Sequence, residues 1–69
     1  MKAILEFTYK GRRNTYFRRI DAFGQPLTTT NKNSAKQIKL EHTEKIVHTI
    51  IEKLGKTNVK DVKVIKLEG

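Results

Sequence analysis

The residues with the clearest chemical potential are the cations of one short stretch, Lys10-Gly11-Arg12-Arg13-Asn14-Thr15-Tyr16-Phe17-Arg18-Arg19. An arginine fork grips a phosphate through two parallel hydrogen bonds, and lysine adds a mobile point charge. Several such groups within one footprint neutralise successive phosphates of a polyanion. Lys32, Lys36 and Lys39 extend the charge, and between residues 7 and 40 only Asp21 opposes it. The formal net charge of +8 therefore resides in the first half of the chain, because later lysines are nearly balanced by Glu41, Glu44, Glu52, Asp61 and Glu68. Charge kept for solubility alone has no reason to concentrate in this way. Lys10, Arg12, Arg13, Arg18, Arg19, Lys32, Lys36 and Lys39 are thus the candidate nucleic-acid contacts. Tyr16 and Phe17 would stack on bases if exposed. A small domain also needs its aromatics inside, which favours a core position for either one taken singly.

Other chemistry is weakly supported. His42 and His48 are six residues apart, not at the i, i+4 spacing that places two metal ligands on one helix face. The chain has no cysteine, so thiolate metal sites and disulfides are excluded. A small basic nuclease would need an acid–base pair. Glu6, His42 and His48 are the available groups, and no spacing joins them. The glycines are isolated, with no phosphate-cradling loop. The expectation is a chain without catalytic residues, metal or cofactor.

The elements that must position the cations can be read from periodicity. Residues 2–9 alternate as a strand, with Ala3, Leu5, Phe7 and Tyr9 on one face and Ile4, Glu6 and Thr8 on the other. Residues 10–14 read as a turn longer than two residues, because Gly11 and Asn14 both tolerate positive φ. Residues 15–23 read as a second strand, antiparallel to the first. Its alternation sends Arg18 and Arg19 to opposite faces unless the strand is bulged or lies at an edge, so Arg12 and Arg13 are the more secure pair. Gly24-Gln25-Pro26 is a turn. Residues 27–30 and 37–40 compete for the third strand, and both could pair. Ile46, Val47, Ile50, Ile51 and Leu54 form the stripe of an amphipathic helix. Thr43 is its expected N-cap, Glu44 suits the first turn, and Gly55 ends it. Residues 59–67 form a last strand with apolar residues on both faces. There Ile4, Ile65 and Leu67 make either a patch suited to a homodimer or part of the core.

The stretch Tyr16-Phe17-Arg18-Arg19-Ile20-Asp21-Ala22-Phe23-Gly24-Gln25-Pro26 resembles part of the N-terminal arm-binding domain of tyrosine integrases from phages and conjugative transposons. The resemblance covers about a sixth of the chain. It implies a three-stranded sheet with one helix, inserted by its sheet into the DNA major groove, with Arg12, Arg18 and Arg19 as the readers.

At 69 residues the chain is expected to be a single domain, 1–69. The fold class is α+β: a mostly antiparallel sheet of three to four strands with one helix on one face, in the order β-β-(β)-α-β. No run approaches a membrane span, and the N-terminal residues lack a signal-peptide core, so a cytoplasmic location is expected. The leading expectation is a non-enzymatic nucleic-acid binder, DNA before RNA. The alternative is a small protein-binding modulator, such as a phage-type inhibitor or accessory subunit, whose basic face docks an acidic partner surface.

Overall fold

Strand β1 (Lys2–Tyr9) is paired along both edges, with three other strands, and the sheet is assembled around it. The computed structural model describes residues 1–67. Along one edge β1 runs antiparallel to β5 (Val59–Leu67), from Lys2↔Leu67 to Tyr9↔Val59. Along the other, its C-terminal half pairs with β2 (Arg12–Ile20) and its first residues pair with β4 (Ile38–Lys39). Strand β3 (Pro26–Thr29) flanks β2. The sheet therefore forks. Past Tyr16, β2 swings out towards β3, and the chain at 36–39 fills the gap. There the Lys36 amide donates to the Phe17 carbonyl at 2.9 Å. Both third-strand candidates pair, at opposite sides of β2, which gives five strands and one helix in a two-layer α+β fold.

The alternation of β1 decides the layers. Leu5 and Phe7 face helix α1 (Thr43–Leu54) and join Phe17, Ile38, Ile50 and Val59 in the core. Ile46, Val47, Ile51 and Leu54 pack around them, so the expected stripe is the buried side of the helix. Each fully buried aliphatic or aromatic side chain contributes about 1.5–3 kcal/mol.

Several local expectations are corrected. The first hairpin turn is only two residues, Lys10 and Gly11, with φ of 51° and 78°, because Tyr9 pairs with Arg12. Positive φ at both central residues is the primed turn that matches strand twist. Asn14, with φ of 57°, instead marks a β-bulge within β2. The second strand spans Arg12–Ile20 rather than 15–23. Thr43 is not an N-cap. A 3₁₀ turn over Leu40–His42 runs directly into the helix, and the Thr43 hydroxyl donates to the Leu40 carbonyl at 2.8 Å. Strand β5 keeps apolar residues on both faces, Val62 against the core and Ile65 opposite Ile4, and a bulge near Asp61, whose φ is 53°, shifts its register before them.

The helix ends as expected. Gly55 adopts a φ of 100°, its amide donates to the Ile51 carbonyl, and Asn58 Nδ2 donates to the Leu54 carbonyl at 2.9 Å. A Cβ on Gly55 would stand 2.9 Å from Asn58 Nδ2. Gly55→Ala should therefore cost about 1–3 kcal/mol, mostly through backbone strain. In a domain of this size each kcal/mol lowers Tm by about 4–8 °C. A thermal melt unchanged by the substitution would contradict this cap geometry.

Candidate nucleic-acid interface

The face of the sheet away from α1 can be assembled from register alone. On β1 it carries Lys2, Ile4, Glu6 and Thr8, alternating with the core residues. Cross-strand partners share a face. Glu6 stands opposite Tyr16 on one side and Lys63 on the other, Thr8 opposite Lys60, and Lys2 opposite Lys39. These pairings bring Lys39, Lys60 and Lys63 to the uncovered face. Ile4 is opposite Ile65 and only 4% exposed, so the centre of this face is dry although no helix covers it.

The two strand arginines reach the same face through a bulge. Phe17 pairs with Thr28, but the next pair is Arg19↔Leu27, which leaves Arg18 as an extra residue on β2. Leu27 shares a face with Thr29, which is opposite Tyr16. The inserted residue thus turns Arg19 to the side already occupied by Tyr16 and Arg18. Arg13 joins them from the other end of β2. It lines a cleft of about 410 Å³ with Glu6, Thr8, Asn14, Asp61 and Lys63.

The uncovered face therefore holds Lys2, Arg13, Arg18, Arg19, Lys39, Lys60 and Lys63. Its acids are Glu6, the cross-strand partner of Tyr16, and Asp61 at the bulge. Lys2, Lys60 and Lys63 are absent from the sequence-derived site. Only the register of β1 with β4 and β5 reveals them.

The remaining expected residues are dispersed. Lys10 and Arg12 lie towards the helix side, where Arg12 is opposite Tyr9 and Lys10 Nζ sits 5.4 Å from the centroid of the Tyr9 ring. They line a second cleft, of about 530 Å³, with the hydroxyl-bearing Thr15, Thr28, Thr29 and Thr30. The first hairpin thus divides its cations between the two sides of the sheet. Lys32 and Lys36 are exposed in the connection from β3 to β4, where the Asn31 side chain accepts from the Asn33 amide.

Neither proposed stacking residue is available. Tyr16 is 6% and Phe17 3% exposed, because Phe17 belongs to the helix-side core and Tyr16 to the dry centre of the opposite face. The exposed aromatic is Phe23, at 93%. It sits in a turn organised by Asp21, whose Oδ1 accepts from the Phe23 amide at 2.8 Å and the Gln25 amide at 2.9 Å. Aspartate at the head of a turn is the signal that would have removed Phe23 from the strand.

His42 and His48 are exposed, at the start and on the outside of the helix, while Glu6 lies across the sheet from His48. The groups considered for acid–base chemistry are not brought together. Among the described residues no cluster of three or more His, Cys, Asp or Glu is placed to hold a metal, and no helix is long and apolar enough to cross a membrane.

Compared with protein-family models, curated proteins and solved structures, the chain has no match.

The Tyr16 hydroxyl has its pKa raised, first by donating to the Glu6 carboxylate, then by burial and by the negative charge of Glu6. A raised value means that the neutral phenol is favoured in the folded state. Its contribution to stability is present at neutral pH and is lost as pH rises through the folded value, above pH 10. With Tyr9→Phe leaving one tyrosine, absorbance titration should place Tyr16 above an ordinary tyrosine, and adding Glu6→Gln should bring it down. No difference between the two proteins would remove the Glu6 contact.

Proposed function

We propose that this chain is a non-enzymatic nucleic-acid-binding protein, with DNA the first candidate, and that it binds through the sheet face opposite the helix. One observation carries the reading. Register and two bulges gather cations from β1, β2, β4 and β5 onto a single face whose dry centre is Ile4 and Tyr16. Cations distributed over adjacent strands can meet successive phosphates while the rigid sheet fixes their spacing. Guanidinium groups from Arg13, Arg18 and Arg19 supply bidentate contacts, and Lys2, Lys39, Lys60 and Lys63 broaden the field. The partial resemblance to integrase arm-binding domains would likewise imply DNA against a sheet. Here Arg18 and Arg19 fit that role better than Arg12, which faces the other way.

If four to six phosphates are neutralised, the observed binding constant should fall with salt at a log–log slope of about −4 to −5. Arg13→Ala and Lys63→Ala should each reduce that slope by about 1, with little change in sequence preference. Arg12→Ala should have a smaller effect than Arg13→Ala, because only Arg13 shares the uncovered face. Fluorescence anisotropy across a salt series measures all three. Failure to bind any DNA or RNA at low salt would refute the reading.

A further inference from the structure

We propose that Phe23 is a base-stacking residue, and that the ligand of the basic face is a single-stranded nucleic acid rather than a duplex. This rests on the nucleic-acid reading above and specifies the substrate class.

The turn between β2 and β3 holds Phe23 away from the protein. The Asp21 amide donates to the Gln25 carbonyl, and the Gly24 amide donates to the Asp21 carbonyl, at 3.0 and 3.1 Å. The Asp21 carboxylate binds two further amides, and Gly24 supplies a φ of 79°. The loop is thus closed from both backbone and side chain, and an aromatic ring sits at its tip, 93% exposed. Its neighbours Ala22 and Gly24 are too small to cover the ring. The other aromatics serve elsewhere: Phe7, Phe17 and Tyr16 are buried, and Tyr9 packs against the core beneath Lys10.

A lone exposed phenylalanine needs no explanation by itself. This one lies in the turn that follows the strand carrying the bulged Arg18–Arg19 pair, with Arg19 only two residues before that turn. A single strand offers a phosphate and a free base face at each nucleotide. Its binding unit is a cation near a flat apolar surface, and Arg19 and Phe23, four residues apart along the chain, are the pair that would supply it. In a duplex the base faces are already stacked. Inserting one ring there costs a few kcal/mol per step, and among the described residues no second exposed aromatic shares that cost.

The test uses a single-stranded oligonucleotide of about 12 nucleotides, within the span such grooves cover, carrying 2-aminopurine. The same sequence as a duplex and an abasic strand of equal length serve as comparisons. The wild type should bind the single strand more tightly than the duplex at one salt concentration. Phe23→Ala and Phe23→Leu should weaken single-strand binding about 5- to 100-fold, whereas Phe23→Tyr should stay within about twofold. The salt slope should be unchanged, and binding of the abasic strand should not respond to Phe23→Ala. Circular dichroism checks that the variants fold. Wild-type affinity in Phe23→Ala, or preference for the duplex, would overturn the stacking proposal while leaving the basic face intact. Retained affinity in Phe23→Leu would also overturn it, in favour of an apolar anchor for a protein. Absence of binding to all three probes would overturn the nucleic-acid reading itself and this proposal with it.

Discussion

The pairing of β1 along both edges is the constraint from which the rest follows. A chain of 69 residues cannot build a deep core. Its central strand β1 meets three others, and the chain uses both faces of that strand. Leu5 and Phe7 anchor the helix side, while Ile4 and Glu6 organise the other. The two sides cannot be exchanged, because a slip of one residue would carry Leu5 and Phe7 out of the core and Glu6 into it. The same register that makes the core brings Lys63 and Tyr16 to either side of Glu6. Stability and the arrangement of charge are consequences of one set of hydrogen bonds.

Bulges then convert an ordinary sheet into an asymmetric one. A regular β2 would divide its arginines between the faces, and the Arg19 side chain would compete with Phe17 for space on the helix side. The extra residue at Arg18 removes this conflict. Asn14 does the equivalent near the first turn, accepting a left-handed backbone that most side chains resist. Each bulge gives up regular ladder pairing at one residue and gains control of where the next side chain points. What separates Arg12 from Arg13 is simple alternation, and no bulge intervenes to reunite them.

Much of the architecture is legible in the sequence because it depends on local periodicity. The period-two face of Ala3, Leu5 and Phe7, the helical stripe ending at Leu54, and Gly55 after it are all of this kind, and all are present in the structure. Both candidates for the third strand exist because the fork in the sheet makes room for each. The misread features depend on pairing between distant segments. Nothing near Arg18 in sequence announces that Leu27 will face two residues. Lys60 and Lys63 look like ordinary surface charge until β5 is laid beside β1. Phe23 looks like a strand residue until Asp21 is seen to fold the chain back. Thr43 looks like a cap until the 3₁₀ turn before it supplies the helical backbone that a cap would have ended.

The bulge at Asp61 has a second consequence, for the behaviour of molecules in company. Among the described residues strand β5 pairs only with β1, so beyond Val59, whose amide donates to the Gly55 carbonyl, its other edge is open, a template on which a second chain could add. A left-handed residue near one end breaks the line of that edge, and Lys60, Lys63 and Lys66 meet any approaching strand with like charge. Those lysines oppose the edge-to-edge addition of a second copy. Like charge keeps copies of the molecule apart, and any polyanion that neutralised these cations would remove that repulsion as well.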